Sequence, residues 1–375
     1  MLTIIIAPTN KCNLNCAYCF NQYNRSEDII DISIIEYLID LSFKENKCVN
    51  FVWRGGEPLM VGMRFYKKVL AIQKQYSLRY GTIYHNSIQT NGTLINKKWI
   101  SFFKRHQISL GISFDGLNND VYRSEGSKTI EAFKLCKSLN YKVGCLVVVN
   151  KENIDLINQY NFLKQYVTSI RFNPCFETNN IAYKISAKEY AENMLELFYK
   201  WILDKDNIQV FPLIDYASDV LGVYQKRECV NGKCLGKFLD ISSAGVVRIC
   251  SHSSEKKYEL GYIDQFSSLA EIFNSEPFNA VVKEMIIRNK WCKENCELFQ
   301  FCQGGCCVSR MANNSFNCEY LKELYPEIKK RVKKIINDNE NLQEYNKHFR
   351  NCVWDSLSQK PDLLIKYIKL SKSIT

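Results

Sequence analysis

Three cysteines stand close together near the start of the chain, in Lys11-Cys12-Asn13-Leu14-Asn15-Cys16-Ala17-Tyr18-Cys19. Their spacing is C-x3-C-x2-C, and an aromatic residue, Tyr18, directly precedes the last thiol. Each ordinary iron of a [4Fe-4S] cube takes one cysteine thiolate, so three thiolates hold three irons and leave the fourth open to a ligand that is not protein. A zinc knuckle, the plainer reading of clustered thiols, wants four ligands in two pairs. No further Cys or His follows within the next 25 residues. The loop therefore reads as an iron–sulfur site with an open iron.

Such a loop needs a reduced environment and a scaffold. The chain has 375 residues and 17 cysteines, which in a secreted protein would read as disulfides. Only Met1, Leu2 and Thr3 precede the apolar Ile4-Ile5-Ile6-Ala7, too little for a secretory signal, and no apolar run approaches the ~18 residues of a membrane span. A cytoplasmic protein with reduced, metal-holding thiols is expected, with no membrane partner. The formal charge of +11 falls to roughly +6 once thiolates are bound in two four-thiolate clusters and one three-thiolate cluster. That balance suits an acidic peptide. Nucleic acid is not expected, because the lysines are scattered except in Lys329-Lys330-Arg331-Val332-Lys333-Lys334, which reads as the solvated face of a helix.

The first 175 residues alternate apolar strand-like runs with helical patterns. Strands are predicted at 2–7, 49–53, 86–90, 108–114, 142–149 and 169–173, and helices at 32–43, 63–76, 96–105, 129–139, 154–166 and 187–203. Six repeats of strand then helix predict a parallel sheet with helical crossovers. Six units fall short of the eight that close a barrel. Polar loops at the carboxyl ends of these strands are where a ligand would be met. Gly55-Gly56-Glu57-Pro58 follows the second strand, Gln89-Thr90-Asn91-Gly92 the third and Ser113-Phe114-Asp115-Gly116 the fourth. Glycines let a backbone approach closely, and a carboxylate can pair with an ammonium.

The cysteine trio followed by this Gly-Gly-Glu-Pro loop resembles the radical S-adenosylmethionine (SAM) enzymes. The resemblance implies an α/β fold, a partial (β/α)6 TIM-like barrel, in which the amino acid end of SAM chelates the open iron. Reductive cleavage of SAM then yields a 5′-deoxyadenosyl radical that abstracts hydrogen from substrate. It further implies that Gly55, Gly56, Glu57 and Pro58 contact the SAM amino group, and that Tyr18, Gln89, Asn91, Ser113 and Asp115 belong to the cofactor site, the last two near the ribose. Asn119-Asp120-Val121-Tyr122-Arg123 resembles the family's His-Asp-x-x-Arg segment, with Asn in place of His and a loop one residue shorter. Arg123 would then fork onto the SAM carboxylate. Phe176 is the candidate adenine contact.

Seven further cysteines carry a second pattern, and Cys229 precedes it. Cys234, ten residues, Gly245, four residues and Cys250 are followed by Cys292, Cys296, Cys302, Cys306 and Cys318 in C-x3-C-x5-C-x3-C and a trailing cysteine. A pair of zinc sites is the plain alternative. The pattern resembles the SPASM extension, with x3 in place of x2 between Cys292 and Cys296. The resemblance implies two auxiliary [4Fe-4S] clusters, so three clusters in all. Auxiliary cluster I would take Cys229, Cys234, Cys250 and Cys306, and auxiliary cluster II Cys292, Cys296, Cys302 and Cys318. Of the adjacent Cys306 and Cys307, the x3 spacing selects Cys306. Cys48, Cys136, Cys145, Cys175 and Cys352 read as buried thiols. The expected domains are a barrel over 1–225, a SPASM domain over 226–320 and a helical tail over 321–375.

Enzymes that join these parts mostly modify peptides or proteins. Two branches are open: maturases that install thioether or carbon–carbon cross-links in ribosomally made peptides, and anaerobic sulfatase-maturating enzymes that convert Cys or Ser to formylglycine. In the second branch an Asp directly follows the cysteine equivalent to Cys250 and serves as base, whereas this chain has Ser251-His252. His252, with an ordinary pKa of about 6.5, could take the proton. The missing Asp favours a peptide maturase. Expected partners are a peptide substrate, for which an acidic leader would suit the charge, a low-potential electron donor such as flavodoxin or ferredoxin, and a separate leader-binding protein. A metal-ribbon scaffold without catalysis is the reading from another class, and the Gly-Gly-Glu-Pro loop and six strand–helix units argue against it.

Overall fold

Ile4 and Ile6 on β1 (Leu2–Ile6) are fully buried, as are Phe51 and Trp53 on β2 (Cys48–Trp53), while their neighbours Ile5 and Val52 are half-buried. A strand points successive side chains to opposite faces, so each of these strands packs one face fully and keeps the other half-open. The structure, a computed structural model, describes residues 1–19, 21, 26–175, 181–223, 233–250, 256–308, 316–338 and 340–359.

After β1 come α1 (Ile32–Glu45), β2, α2 (Gly62–Tyr80), β3 (Ile83–Thr90), α3 (Lys97–Arg105) and β4 (Ser109–Ser113). Next are α4 (Asn119–Tyr122), α5 (Gly126–Ser138), β5 (Val143–Val149), α6 (Leu156–Leu163), β6 (Ser169–Pro174), α7 (Ala187–Leu203), β7 (Gln209–Phe211) and α8 (Leu213–Val220). The remainder holds β8 (Phe238–Ile241), β9 (Val246–Arg248), β10 (Glu259–Tyr262), α9 (Leu269–Phe273), α10 (Glu276–Asn295), α11 (Phe299–Cys302), α12 (Phe316–Asn337) and α13 (Lys347–Ser358). The six expected strand–helix units are all present, within a few residues of the expected bounds. Helix ends follow local chemistry: the Asp31 carboxylate caps α1 by accepting the Ser33 N–H, and Gly81, in the left-handed region at φ 69°, ends α2.

The chain forms two compact units. The first spans Met1–Phe114, Asn119–Val143 and Glu228–Met311. Its sheet runs β10-β9-β8-β1-β2-β3-β4. The pairs from β8 through β1, β2 and β3 to β4 are parallel, and β8–β9 and β9–β10 are antiparallel. Register sets Ile4 against Phe51 and Leu239, and Ile6 against Trp53 and Ile241. Trp53 packs edge-on against Phe65 and Tyr66, and its indole N–H donates to Asn86 Oδ1 at 2.8 Å. Asn86 and Gln73 complete that buried polar group by donating to each other.

The second unit spans Asp115–Asn118, Gly144–Arg227 and Ala312–Thr375. Strands β5, β6 and β7 are parallel there. A Ser186–Glu189 capping box starts α7, whose Tyr190 meets Tyr320 of α12 edge-on at 5.1 Å. The helical tail begins at Phe316, a few residues before the expected start. In its basic run Val332 is fully buried while Lys329, Lys330, Lys333 and Lys334 are exposed, and Arg331 pairs with Glu340 at 2.6 Å. Cys136, Cys145, Cys175 and Cys352 are buried as expected, but Cys48 is only half-buried because it opens β2 at the sheet's margin. Among the described residues no helix is long and apolar enough to cross a membrane.

Candidate functional site

The cysteine loop leaves β1 and is bound by the loop after β2. Gly56 N–H donates to Thr9 O at 3.0 Å and Glu57 N–H to Lys11 O at 2.7 Å. A Cβ on Gly56 would lie 2.1 Å from Lys11 O, and one on Gly55 2.7 Å from Thr9 O. The glycines thus permit the two loops to touch. Leu14 N–H points at Cys12 Sγ (3.4 Å), and Cys19 N–H closes a turn onto Cys16 O at 3.1 Å.

Glu57 is fully buried and collects three donors: Leu59 N–H at 2.9 Å, Thr90 Oγ1–H at 2.7 Å and Asn91 N–H at 2.8 Å. It therefore ties the loop after β2 to the end of β3. Burial raises its carboxyl above the ordinary range, against the pull of these donors and of the Arg123 guanidinium. Pro58 begins the short 3-10 turn that Glu57 caps. Arg123 is itself nearly buried and donates to Tyr18 OH at 3.0 Å, while Ala17 N–H donates to Tyr122 O at 2.9 Å. The Tyr18 and Tyr122 rings lie 5.9 Å apart. So α4 and the residue after it clasp the cysteine loop and bring a guanidinium to it, while the Glu57 carboxylate comes from the loop after β2.

Asn91 reaches the same loop by donating to Asn13 Oδ1 at 2.9 Å, and it orders the turn after β3 by accepting from the Thr93 N–H and hydroxyl. Gln89 donates to Ser113 Oγ at 2.8 Å across β3 and β4. A Cβ on Gly111 would sit 2.2 Å from Gln89 Oε1, so Gly111 makes room for that side chain. Asp115, in the second unit, is fully buried and accepts Val148 N–H at 2.9 Å. Phe176, Cys229 and His252 lie outside the described residues.

In the second cysteine set, Cys292 and Cys296 lie at the end of α10, joined by the Cys296 N–H to Cys292 O bond of 2.9 Å. The x3 spacing makes them i and i+4, with Cys292 in the last turn of the helix and Cys296 the extended residue that ends it. Cys302 ends α11 and is nearly buried, and Cys318 stands in the first turn of α12 in the second unit. Cys250 follows β9 by two residues, and the Cys307 thiol is hydrogen-bonded to the thiols of Cys234 and Cys306. Among the described residues, no three Cys, His, Asp or Glu side chains surround one point as metal ligands would. The donor chemistry nonetheless fits the groups that the resemblance implies, with soft thiols in pairs and trios, backbone N–H groups aimed at sulfur, and a buried carboxylate and guanidinium beside the first trio.

Sequence reading missed several site residues. Asn13, Thr90 and Thr93 are ordinary turn residues by type, and only their reach across loops sets them apart. Asp240 is the sharper omission: an acid inside the apolar strand Phe238-Leu239-Asp240-Ile241, buried, in register with Ile5 and Arg248. Burial pushes its carboxyl up, opposed by Arg54 and Arg248. An acid flanked by buried aliphatics was the available signal.

Fold and loops together define a radical SAM enzyme with an iron–sulfur extension. Residues 6–163 match the radical SAM superfamily, and residues 229–302 match SPASM, an iron–sulfur cluster-binding domain. A cysteine-type anaerobic sulfatase-maturating enzyme of Clostridium novyi is 31% identical over 357 residues, covering 86% of this chain and 94% of that one. The chain belongs to the family of the anaerobic sulfatase-maturating enzymes. A serine-type member from Klebsiella pneumoniae is 28% identical over 319 residues, 79% of this chain and 78% of its own. Among solved structures, anSMEcpe with bound AdoMet and Kp18Cys peptide superposes with a TM-score of 0.79 at 26% identity, over 90% of this chain and 99% of that one. SuiB of Streptococcus suis bound to S-adenosylmethionine shares the fold, with a TM-score of 0.59 at 15% identity, over 84% of this chain and 75% of its own.

Proposed function

We propose that this chain oxidises a Cys or Ser side chain of a protein substrate to the aldehyde of formylglycine. The observation that carries this reading is the near-full-length likeness to a cysteine-type sulfatase-maturating enzyme. It moves ahead of the cross-linking reading drawn from the sequence, because the relatives reported above at 31% and 28% identity are sulfatase-maturating enzymes. The cross-linking reading keeps one observation in its favour, Ser251 after Cys250 where the family resemblance implies Asp.

On this proposal Cys12, Cys16 and Cys19 would hold the cluster that, with SAM, supplies the 5′-deoxyadenosyl radical. Arg123 orients the SAM carboxylate and Glu57 the ammonium, within a cradle of Gly55, Gly56, Pro58, Gln89, Asn91, Ser113 and Asp115, with Phe176 at the adenine. Tyr18 holds Arg123 in place through the 3.0 Å hydrogen bond. Cys229, Cys234, Cys250 and Cys306, and Cys292, Cys296, Cys302 and Cys318, would hold the two auxiliary clusters. His252 is the proposed proton acceptor during substrate oxidation. A low-potential electron donor in the cytoplasm completes the system.

The test uses anaerobically reconstituted enzyme, SAM, a low-potential reductant and a sulfatase-type peptide with Cys, or Ser in its place. Hydrazide trapping of a new aldehyde on the Cys peptide is the expected result. Both peptides unchanged, while a peptide encoded beside this gene becomes cross-linked, would transfer the assignment to the second reading.

A further inference from the structure

Helix α12 has one side for the fold and another for solvent. Leu321, Leu324, Ile328, Val332 and Ile335 are buried. The helix packs on α7 and α8, where Tyr320 meets Tyr190 edge-on at 5.1 Å and the Tyr216 hydroxyl at 3.2 Å. On the opposite side Lys329, Lys330, Lys333 and Lys334 are exposed. They recur at steps of three and four residues, so they share one face. The exposed acids of the helix, Glu319 and Glu323, fall in its first half, and from Pro326 onward its exposed charges are all lysines.

This face costs the helix stability, because Lys329 with Lys333 and Lys330 with Lys334 are like charges at i,i+4. Arg331 turns aside to Glu340 at 2.6 Å, and among the described residues it is the cation of this run held in an ion pair. Four neighbouring cations without counter-charges suit an acidic visitor. A second copy of the chain would bring the same positive face and be repelled. A lipid surface needs an apolar helix face, and that face of α12 is already buried. Among the described residues no large apolar side chain of α12 is exposed, so the face lacks the apolar centre of a permanent interface. Electron-transfer encounters are the small, transient class of interface, and charge steering speeds them.

We propose that the exposed lysine face of α12 is the docking surface for a small acidic one-electron carrier protein, the donor that the proposed reaction needs. A transient footprint of about 600 Å² per partner has a radius of about 14 Å. Lys329 follows Cys318 by eleven residues, about 16 Å along a helix axis. A carrier centred on Lys329 and Lys330 thus reaches within one helical turn of Cys318, a thiol of the second cysteine set.

This docking rests on the radical SAM reading above, but binding of an oxidised carrier needs no turnover and so tests the surface alone. Purified oxidised flavodoxin would be titrated, at low and at high salt, into reconstituted full-length wild type and into a Lys329→Gln, Lys330→Gln, Lys333→Gln, Lys334→Gln variant. Gln has nearly the helix propensity of Lys, so the helix is kept. Wild-type binding should weaken with salt, and the variant should bind about tenfold or more weakly. Carbodiimide joins an amine to a carboxylate in contact, and in the unmutated protein it should link lysines of α12 to acidic residues of flavodoxin. With dithionite as reductant the two proteins should form 5′-deoxyadenosine equally. With reduced flavodoxin the variant should lag by about tenfold. Equal flavodoxin binding by both proteins, no binding by the wild type, or cross-links confined to other surfaces would overturn the proposal. So would a duplex oligonucleotide that binds the wild type more tightly than flavodoxin does and loses that affinity in the variant. Wild type that forms no 5′-deoxyadenosine even with dithionite would instead fail the radical SAM reading, and the binding and cross-linking results would still decide the docking.

Discussion

A carboxylate removed from water is costly unless donors surround it. Glu57 has three donors and the field of Arg123, yet burial outweighs them and its carboxyl is raised. A folded-state pKa above the ordinary 4.5 means that the fold holds the proton more tightly than the unfolded chain does. The group's contribution to stability is therefore whole below 4.5 and is lost as pH rises through the raised value. Glu57→Gln removes this titration, so its denaturant midpoint should stay flat across a window in which the wild type declines. Parallel curves for the two proteins would contradict the assignment. The types of Glu57 and Arg123 were readable as ion-pairing groups, but their partners were not. Arg123 bonds Tyr18 from 105 positions away, and Glu57 bonds residues 33 and 34 positions off, contacts that only the assembled loops create.

At the scale of elements, the chemistry depends on two loops being able to touch. Gly56→Ala would put a Cβ against Lys11 O, a backbone atom that cannot swing aside. Overpacking of this kind costs about 1–3 kcal/mol, and it would push the cysteine loop out of place. Denaturant unfolding should show that loss, together with reduced iron at the first cluster. A variant with wild-type stability and iron content would refute the steric account. The six strand–helix units were legible because buried aliphatic and aromatic residues recur with clear periods, and because Asp31, Gly81 and Ser186 mark helix ends. Strands β7 and β9, three residues each, carry too few residues for a period to register. Asp240 lies on β8, only one residue longer, and needs its neighbours β1 and β9 before its burial can be seen.

For the whole molecule, the division of labour between the first cysteine trio and the later set can be tested by loss of one without the other. Replacing Cys292 and Cys318 with Ala should leave 5′-deoxyadenosine formation measurable while product formation stops. Normal product from that variant would remove the later set from the reaction. The radical SAM and SPASM parts were legible because ligand spacing is a chemical requirement written directly into the chain. The choice of branch was not: Ser251 after Cys250 favoured cross-linking, and the likeness of the whole chain to a cysteine-type enzyme outweighs that one position. Substrate choice depends on side chains around the strand ends, which a spacing pattern does not encode.

The account joins the trio, SAM and a Cys side chain in one hydrogen transfer, so the label in that hydrogen is the most direct test. A sulfatase-type peptide with deuterium on the Cβ of its target Cys would be incubated anaerobically with enzyme, SAM and a low-potential reductant. Wild-type enzyme should transfer deuterium into 5′-deoxyadenosine as the aldehyde forms, and a Cys12→Ala, Cys16→Ala, Cys19→Ala variant should form neither product. Unlabelled 5′-deoxyadenosine alongside an unchanged peptide, or undiminished cleavage of SAM by the triple variant, would contradict the account.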